Sequence, residues 1–201
     1  MRNEARPLRS SLQSKTFKMS QERHENSAKT DRWIAGQSGH EVTFRLARPA
    51  DASFILSLRT DSRLNEHLSS VDHDLEKQIT WLQDYRARED RGEEFYFVIS
   101  RNGESVGTVR LYDVQEDSFC WGSWVIVPGT PPSVALRSAA LIYDFGFNAL
   151  GFRFSHFDVR KGNGSVNRFH QRTGAIVISE DSENFYYQID KATALNATSK
   201  W

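Results

Sequence analysis

Residues 125–139 read VIVPGTPPSVALRSA. An apolar, strand-like run stops at Pro128-Gly129, and a helical pattern starts near Ser133. A strand that hands over to a helix in this way can build a place for phosphate. The first backbone N–H groups of a helix have no internal partner, and the helix dipole favours an anion. Turns with that task usually carry glycines, because the backbone must approach the ligand closely. This one carries Pro131 and Pro132, which have no N–H to offer. Proline at or just outside the first helical position costs the helix little. Gly129, Thr130, Ser133, Val134 and Ala135 keep their amides, and Thr130 and Ser133 add hydroxyls.

Working outward, 118–127 reads as the strand before this turn, and 133–151 as the helix after it, closed by Gly151. FRFSHFDV (152–159) is a further strand, SVNRFHQRTG (165–174) a short helix, and AIVIS (175–179) and NFYYQI (184–189) two more strands. Upstream, 94–100 and 105–114 flank Asn102-Gly103, the strongest hairpin signal in the chain. VTFRLAR (42–48) reads as a first strand, followed by a helix that Asp51 could cap. Leu75, Ile79, Leu82 and Tyr85 mark a longer helix over 74–90. Strands on both sides of a central strand–turn–helix–strand unit give a single domain of α+β (mixed α/β) class, over residues 42–190.

The ends differ from this core. Residues 1–41 are polar and aperiodic, which predicts a disordered arm, and residues 191–201 read as a short tail. The Arg- and Ser-rich start could also be a transit peptide, or Met19 the true initiator. The 201 residues carry 26 basic and 26 acidic side chains, so no overall field argues for nucleic acid. No apolar stretch is long enough to span a bilayer, so a soluble protein without a membrane partner is expected. Cys120 is the sole cysteine, which rules out an internal disulfide and fits a reducing, cytoplasmic setting. His156 and Asp158, two apart on one strand, lack a nearby third ligand, so no metal site is expected. The sequence leaves a homodimer open.

The order of elements resembles the GNAT superfamily of N-acetyltransferases, over about residues 42–190. FRLARPADASFILSLR (44–59) and QITWLQDY (78–85) are similar to the opening strand and first helices of the branch that includes ribosomal-protein alanine and amino-sugar acetyltransferases. GESVGTVRLYDV (103–114) resembles its central hairpin. WVIVPG (124–129) with DFGFNALGF (144–152) resembles the acetyl-CoA segment, and DVRKGNGSVNRFHQRTGA (158–175) the closing strand, asparagine loop and helix. The resemblance implies a mostly antiparallel sheet with a V-shaped split between two parallel strands, here 118–127 and 152–159, flanked by about four helices.

It also implies acetyl-CoA as co-substrate and direct acetyl transfer to a primary amine of a small molecule or of a peptide or protein N-terminus. The strand before the turn, with Val125, Ile126 and Val127, would hold the cofactor by backbone groups, and the turn its pyrophosphate. The family pattern Arg/Gln-x-x-Gly-x-Gly/Ala survives here only in Ala135, with Thr130 and Ser133 at the other two positions. Asn163 and Asn167 fall where cofactor-contacting asparagines are found, and His170 where a tyrosine often faces the CoA sulfur as the acid. For the base, His156, Asp158, Asp113 and Glu116 all stay open. The alternatives are a GNAT-fold binding or regulatory module without acetyl transfer, and a transferase using another acyl-CoA.

Overall fold

The computed structural model describes residues 25–64 and 71–201. The transit-peptide and Met19 readings therefore lie outside the described residues. Among the described residues, seven strands form one sheet in the order β1-β2-β3-β4-β5-β7-β6. They are β1 (Val42–Leu46), β2 (Phe95–Arg101), β3 (Glu104–Tyr112), β4 (Ser118–Ile126), β5 (Phe154–Arg160), β6 (Ile176–Glu180) and β7 (Asn184–Asp190). All neighbours run antiparallel except β4 and β5. The β2–β3 hairpin turns on Asn102 and Gly103, at φ 51° and 87°, the left-handed pair that a two-residue primed turn requires.

Helices cover both faces. α2 (Ala52–Thr60) and α3 (Leu75–Asp90) lie on one face, with Ile55, Leu82 and Tyr85 buried against Tyr96 and Val98. Asp74 caps α3 by accepting the Lys77 amide at 3.0 Å. Asp51 does not cap α2; its carboxylate accepts the Arg48 amide at 2.8 Å and pairs with Arg45 at 2.7 Å. The other face carries α4 (Pro132–Asp144), which continues as a π-helical turn over Phe145–Ala149, and α5 (Gly164–Arg172). β2 lies between the two layers, so Phe95 to Ile99 are all buried, whichever way each side chain points.

The two ends depart from expectation. Residues 25–35 form a helix, α1, and not an unstructured arm. Trp33 docks it on the sheet, with ring centroids 5.9 Å from Phe44, 5.9 Å from Phe97 and 4.8 Å from Phe145, and its Nε1–H donates to Asp144 Oδ2 at 2.6 Å. At the other end, Lys191–Thr198 form α6, capped by Asp190 through the Thr193 amide at 2.9 Å. Ala194 is fully buried against α4, and Trp201 packs on Phe169 of α5. Both segments are polar overall. They order because one tryptophan or alanine on each reaches an already built core, a tertiary effect that periodicity cannot show.

Candidate active site

β4 and β5 are paired only at Ser118–Phe154 and Phe119–Ser155. Beyond these rungs β4 follows β3 and β5 follows β7, so the two parallel strands part into an open fork. A bulge sharpens the divergence. Thr108 pairs with Val125 but Arg110 with Gly122, which leaves one extra residue on β4, and Ser123 there sits at φ 47°. Val127 gives its amide to Val106 O at 2.8 Å. Alternation along a strand then turns the Ile126 amide to the opposite edge, the one facing the fork. Val125 is a buried core residue.

The turn after β4 is narrower in donors than its sequence implies. Thr130 donates its amide to Val127 O at 3.2 Å, and Val134 to Pro131 O at 2.9 Å. Gly129, at φ 86°, and Ser133 keep amides without an acceptor among the described residues. Pro131 is the N-cap and Pro132 the first residue of α4, where no helical bond is lost. The first turn holds no acidic side chain. Exposed Ser133 and Gly129 therefore fit an anionic ligand, whereas Val134 is fully buried with its amide engaged. Ala135 lies one turn in, its carbonyl accepting Ser138 Oγ at 2.9 Å.

The two asparagines beyond β5 both make hydrogen bonds that shape the loop and helix. Asn163 is the N-cap of α5, its Oδ1 accepting the Val166 amide at 3.3 Å. Asn167 has no polar atom to spare. Its Nδ2 donates to the carbonyls of Arg160 and Asn163, both at 2.9 Å, and its Oδ1 accepts Tyr187 O–H at 2.8 Å. It locks α5 onto β5 and β7.

His170 does reach the fork, but not as a titrating acid. It is 4% exposed, with ring centroids of Phe157 at 4.0 Å, Phe169 at 5.2 Å and Trp121 at 5.4 Å, and its Nδ1 is buried without a partner. Burial alone lowers its pKa to about 3. The imidazole is neutral at physiological pH, so it can offer a fixed N–H but not an imidazolium. This carries a pH dependence. The unfolded chain takes up a proton near pH 6.5 that the folded state resists until about pH 3. Stability from this site is complete above pH 6.5 and is lost as pH falls towards 3. His170→Phe is expected to remove about 5 kcal/mol of that acid sensitivity, read as a flatter dependence of urea midpoint on pH than in wild type.

The other face of the fork is polar. Side chains alternate along a strand, so His156 and Asp158 of β5 point away from Phe157 and His170. A cavity of about 390 Å³ opens there, lined by Tyr112, Cys120, His156, Asp158 and Tyr186 among others. Burial pushes the Cys120 thiol up to about 12, so it stays protonated. A second cavity of about 220 Å³ lies between α2, α3 and the sheet, lined by Arg59, Trp81, Tyr96 and Arg110. The Arg110 guanidinium lies 5.1 Å from the Trp81 ring of this cavity and 5.0 Å from the Tyr112 ring that lines the first. Buried Glu94 holds Arg110 at 2.6 Å and Arg88 at 2.7 Å. The sequence reading missed this second cavity. Its only signal is the arginine–aromatic content of three distant segments.

A family model described as the acetyltransferase (GNAT) domain matches residues 41–176. The chain belongs to the GNAT acetyltransferase family. Among solved structures, apo FdhC, described as a nucleotide-linked sugar GNAT, shares 43% identity over 80% of this chain and 92% of its own, with a TM-score of 0.73. The ribosomal-protein-S5-alanine acetyltransferase of Vibrio fischeri (14% identity, 76% and 94% covered, TM-score 0.66) is similar in fold. So is PseH of Campylobacter jejuni, solved with acetyl coenzyme A (14%, 74% and 98%, 0.60). No curated protein matches the chain in sequence. This GNAT enzyme thus uses acetyl-CoA to acetylate an amine. Among the described residues, no cluster of three metal-ligating side chains and no helix able to cross a membrane occurs.

Proposed function

We propose that this enzyme transfers acetyl to the amino group of a nucleotide-linked sugar, in the cytoplasm and without membrane or nucleic-acid partners. The observation that carries the acceptor class is the cationic, aromatic cavity at Arg59, Trp81 and Arg110, whose Arg110 guanidinium lies over the ring of Tyr112, a lining residue of the polar cavity at the fork. Two guanidiniums, Arg88 and Arg110, share the single carboxylate of Glu94, so the neighbourhood keeps an excess of positive charge beside Trp81. Guanidinium groups suit a diphosphate, and an aromatic ring suits a flat base. The 43% identity to a nucleotide-linked sugar GNAT supports the same reading.

In this reading acetyl-CoA enters from the α4–α5 face. The amides of Gly129 and Ser133 receive the pyrophosphate, and Thr130 Oγ1 and Asn163 Nδ2 lie beside it. The Ile126 amide faces the acyl carbonyl from the β4 edge of the fork. His170 presents a neutral imidazole N–H to the sulfur as charge develops on it. The amine arrives from the opposite face, and the fork lets the two substrates meet. Single-turnover and steady-state assays following thiol release test the acceptor. Nucleotide-linked amino sugars should be acetylated with kcat/KM at least tenfold above that of the same sugars without the nucleotide. Equal or better use of spermidine or of a peptide N-terminus would refute the acceptor class.

A further inference from the structure

Three side chains at the base of the fork form one hydrogen-bonded chain on the acceptor face. Ser118 Oγ lies 2.8 Å from His156 Nδ1, and His156 Nε2 lies 3.1 Å from Asp113 Oδ2. Ser118 belongs to the first of the two rungs where β4 and β5 pair, opposite Phe154, and His156 is the next β5 side chain on that face, just beyond the second rung. Asp113 reaches them from the turn after β3, where it holds φ 47°, a left-handed conformation uncommon for a residue other than glycine. Gln115 steadies the carboxylate, its Nε2 standing 3.4 Å from Asp113 Oδ2 and 3.3 Å from His156 Nε2.

The direction of the chain follows from what each group can do. A carboxylate only accepts, and Asp113 lies nearer Nε2 (3.1 Å) than the Gln115 amide does (3.3 Å), so the ring proton sits on Nε2, facing Asp113, and the Gln115 amide donates to the carboxylate and not to the ring. Nδ1 is then the acceptor, and Ser118 O–H donates to it. That leaves the Ser118 oxygen with lone pairs free to accept a proton from the cavity. We propose that Ser118 and His156 form the proton relay that takes the proton from the acceptor amine, with Asp113 as the positioning residue that holds the imidazole. This rests on acetyl transfer to an amine and not on which amine is used.

As the nitrogen bonds to the acyl carbon, its proton passes to Ser118 Oγ while the Ser118 proton moves to His156 Nδ1. The C–S bond breaks with its electron pair on sulfur, and the thiolate takes a proton from water. The imidazolium, its charge matched by Asp113, returns its proton to solvent. Titratable groups around the imidazole in the same cavity are Tyr112 from β3, Asp113, Cys120 from β4, Asp158 from β5, and Tyr186 and Tyr187 from β7. β6 adds only Ile178 and Ser179, which do not titrate. The Cys120 thiol stays protonated, so the negative charge facing the imidazolium is carboxylate.

The test uses the full chain, acetyl-CoA and whichever amine among nucleotide-linked amino sugars, spermidine and peptide N-termini is turned over fastest. His156→Gln should lower kcat/KM about 100-fold or more at neutral pH, the usual span for a general base. It should also abolish the rise of kcat/KM with pH that this base contributes. Asp113→Asn should move that rise to lower pH, and Ser118→Ala should keep it at a rate at least tenfold down. Calorimetric affinity for CoA should change less than twofold in all three. A His156→Gln rate within threefold of wild type, or an unchanged pH profile, overturns the relay. Nitrogen-15 NMR of the unliganded wild type is an independent arm. Protonation of Nδ1 in place of Nε2 above pH 8 overturns the relay whatever the acceptor, whereas failure of nucleotide-linked sugars alone refutes only the acceptor class.

Discussion

Ser133→Asp is expected to weaken CoA binding about 100-fold while leaving the protein as stable as before. Ser133 is exposed at the second position of α4, and its amide has no acceptor among the described residues. A carboxylate there would face the pyrophosphate. Two unit charges 4 Å apart repel by about 4 kcal/mol at an effective dielectric near 20. Screening and the spread of phosphate charge leave roughly 3 kcal/mol, which is about two decades in Kd. The same carboxylate favours the helix N-terminus by about 0.3–1 kcal/mol, so misfolding cannot account for lost affinity. Titration calorimetry with CoA, beside a thermal melt, reads both quantities. An unchanged Kd with an unchanged melt would place the pyrophosphate elsewhere and remove the turn from the site.

That result would also say how the two prolines are accommodated. Pro131 and Pro132 stand where α4 has no bond to lose, and the structure shows that the turn itself consumes the amides of Thr130 and Val134. The sequence counts amides; only the fold shows where each one goes. The same division runs through the rest of the site. The strand–turn–helix at 125–139 and the hairpin at Asn102-Gly103 were legible, because apolar runs, turn residues and helix signals are local. The parallel pairing of 118–127 with 152–159 and the split between them came from resemblance, and two rungs of pairing give the split its position.

What stayed illegible was set by neighbours far away in the chain. Trp33 and Ala194 order segments whose own composition argues against order, since each needs a pocket built by other elements. The protonation of His170 is decided by its ring of Trp121, Phe157 and Phe169, and those residues come from β4, β5 and α5. Asn167 looks like a ligand residue until the carbonyls of Arg160 and Asn163 and the hydroxyl of Tyr187 take its side-chain amide. On the opposite face, four carboxylates and imidazoles competed for the role of base. Register and turn geometry bring Asp113 and His156 together, and they add Ser118, a residue with no chemical signal in its own segment.

The largest effect on stability is expected from Phe145→Ala, a loss of about 3–5 kcal/mol. Phe145 is fully buried at the π-helical end of α4, with ring centroids of Trp33 at 4.8 Å and of Phe95 and Phe97 at 5.0 Å each. Its removal opens a cavity whose walls cannot close. The neighbouring Gly146 lies against the Phe119 ring so closely that even a Cβ would collide with it, so α4 cannot slide inward along β4. For a chain of this size the loss corresponds to a fall of about 6–20 °C in melting temperature. Trp33→Ala removes the same ring contact from the other side, together with the indole hydrogen bond to Asp144. Residues in direct contact are not additive, so the double variant should be less destabilised than the sum of the two singles by about 0.5–1.5 kcal/mol. Strict additivity would mean that α1 does not rest on the sheet in solution. A positive coupling makes the N-terminal helix part of the same core that sets the end of α4, and hence of the helical layer on the α4–α5 face of the fork.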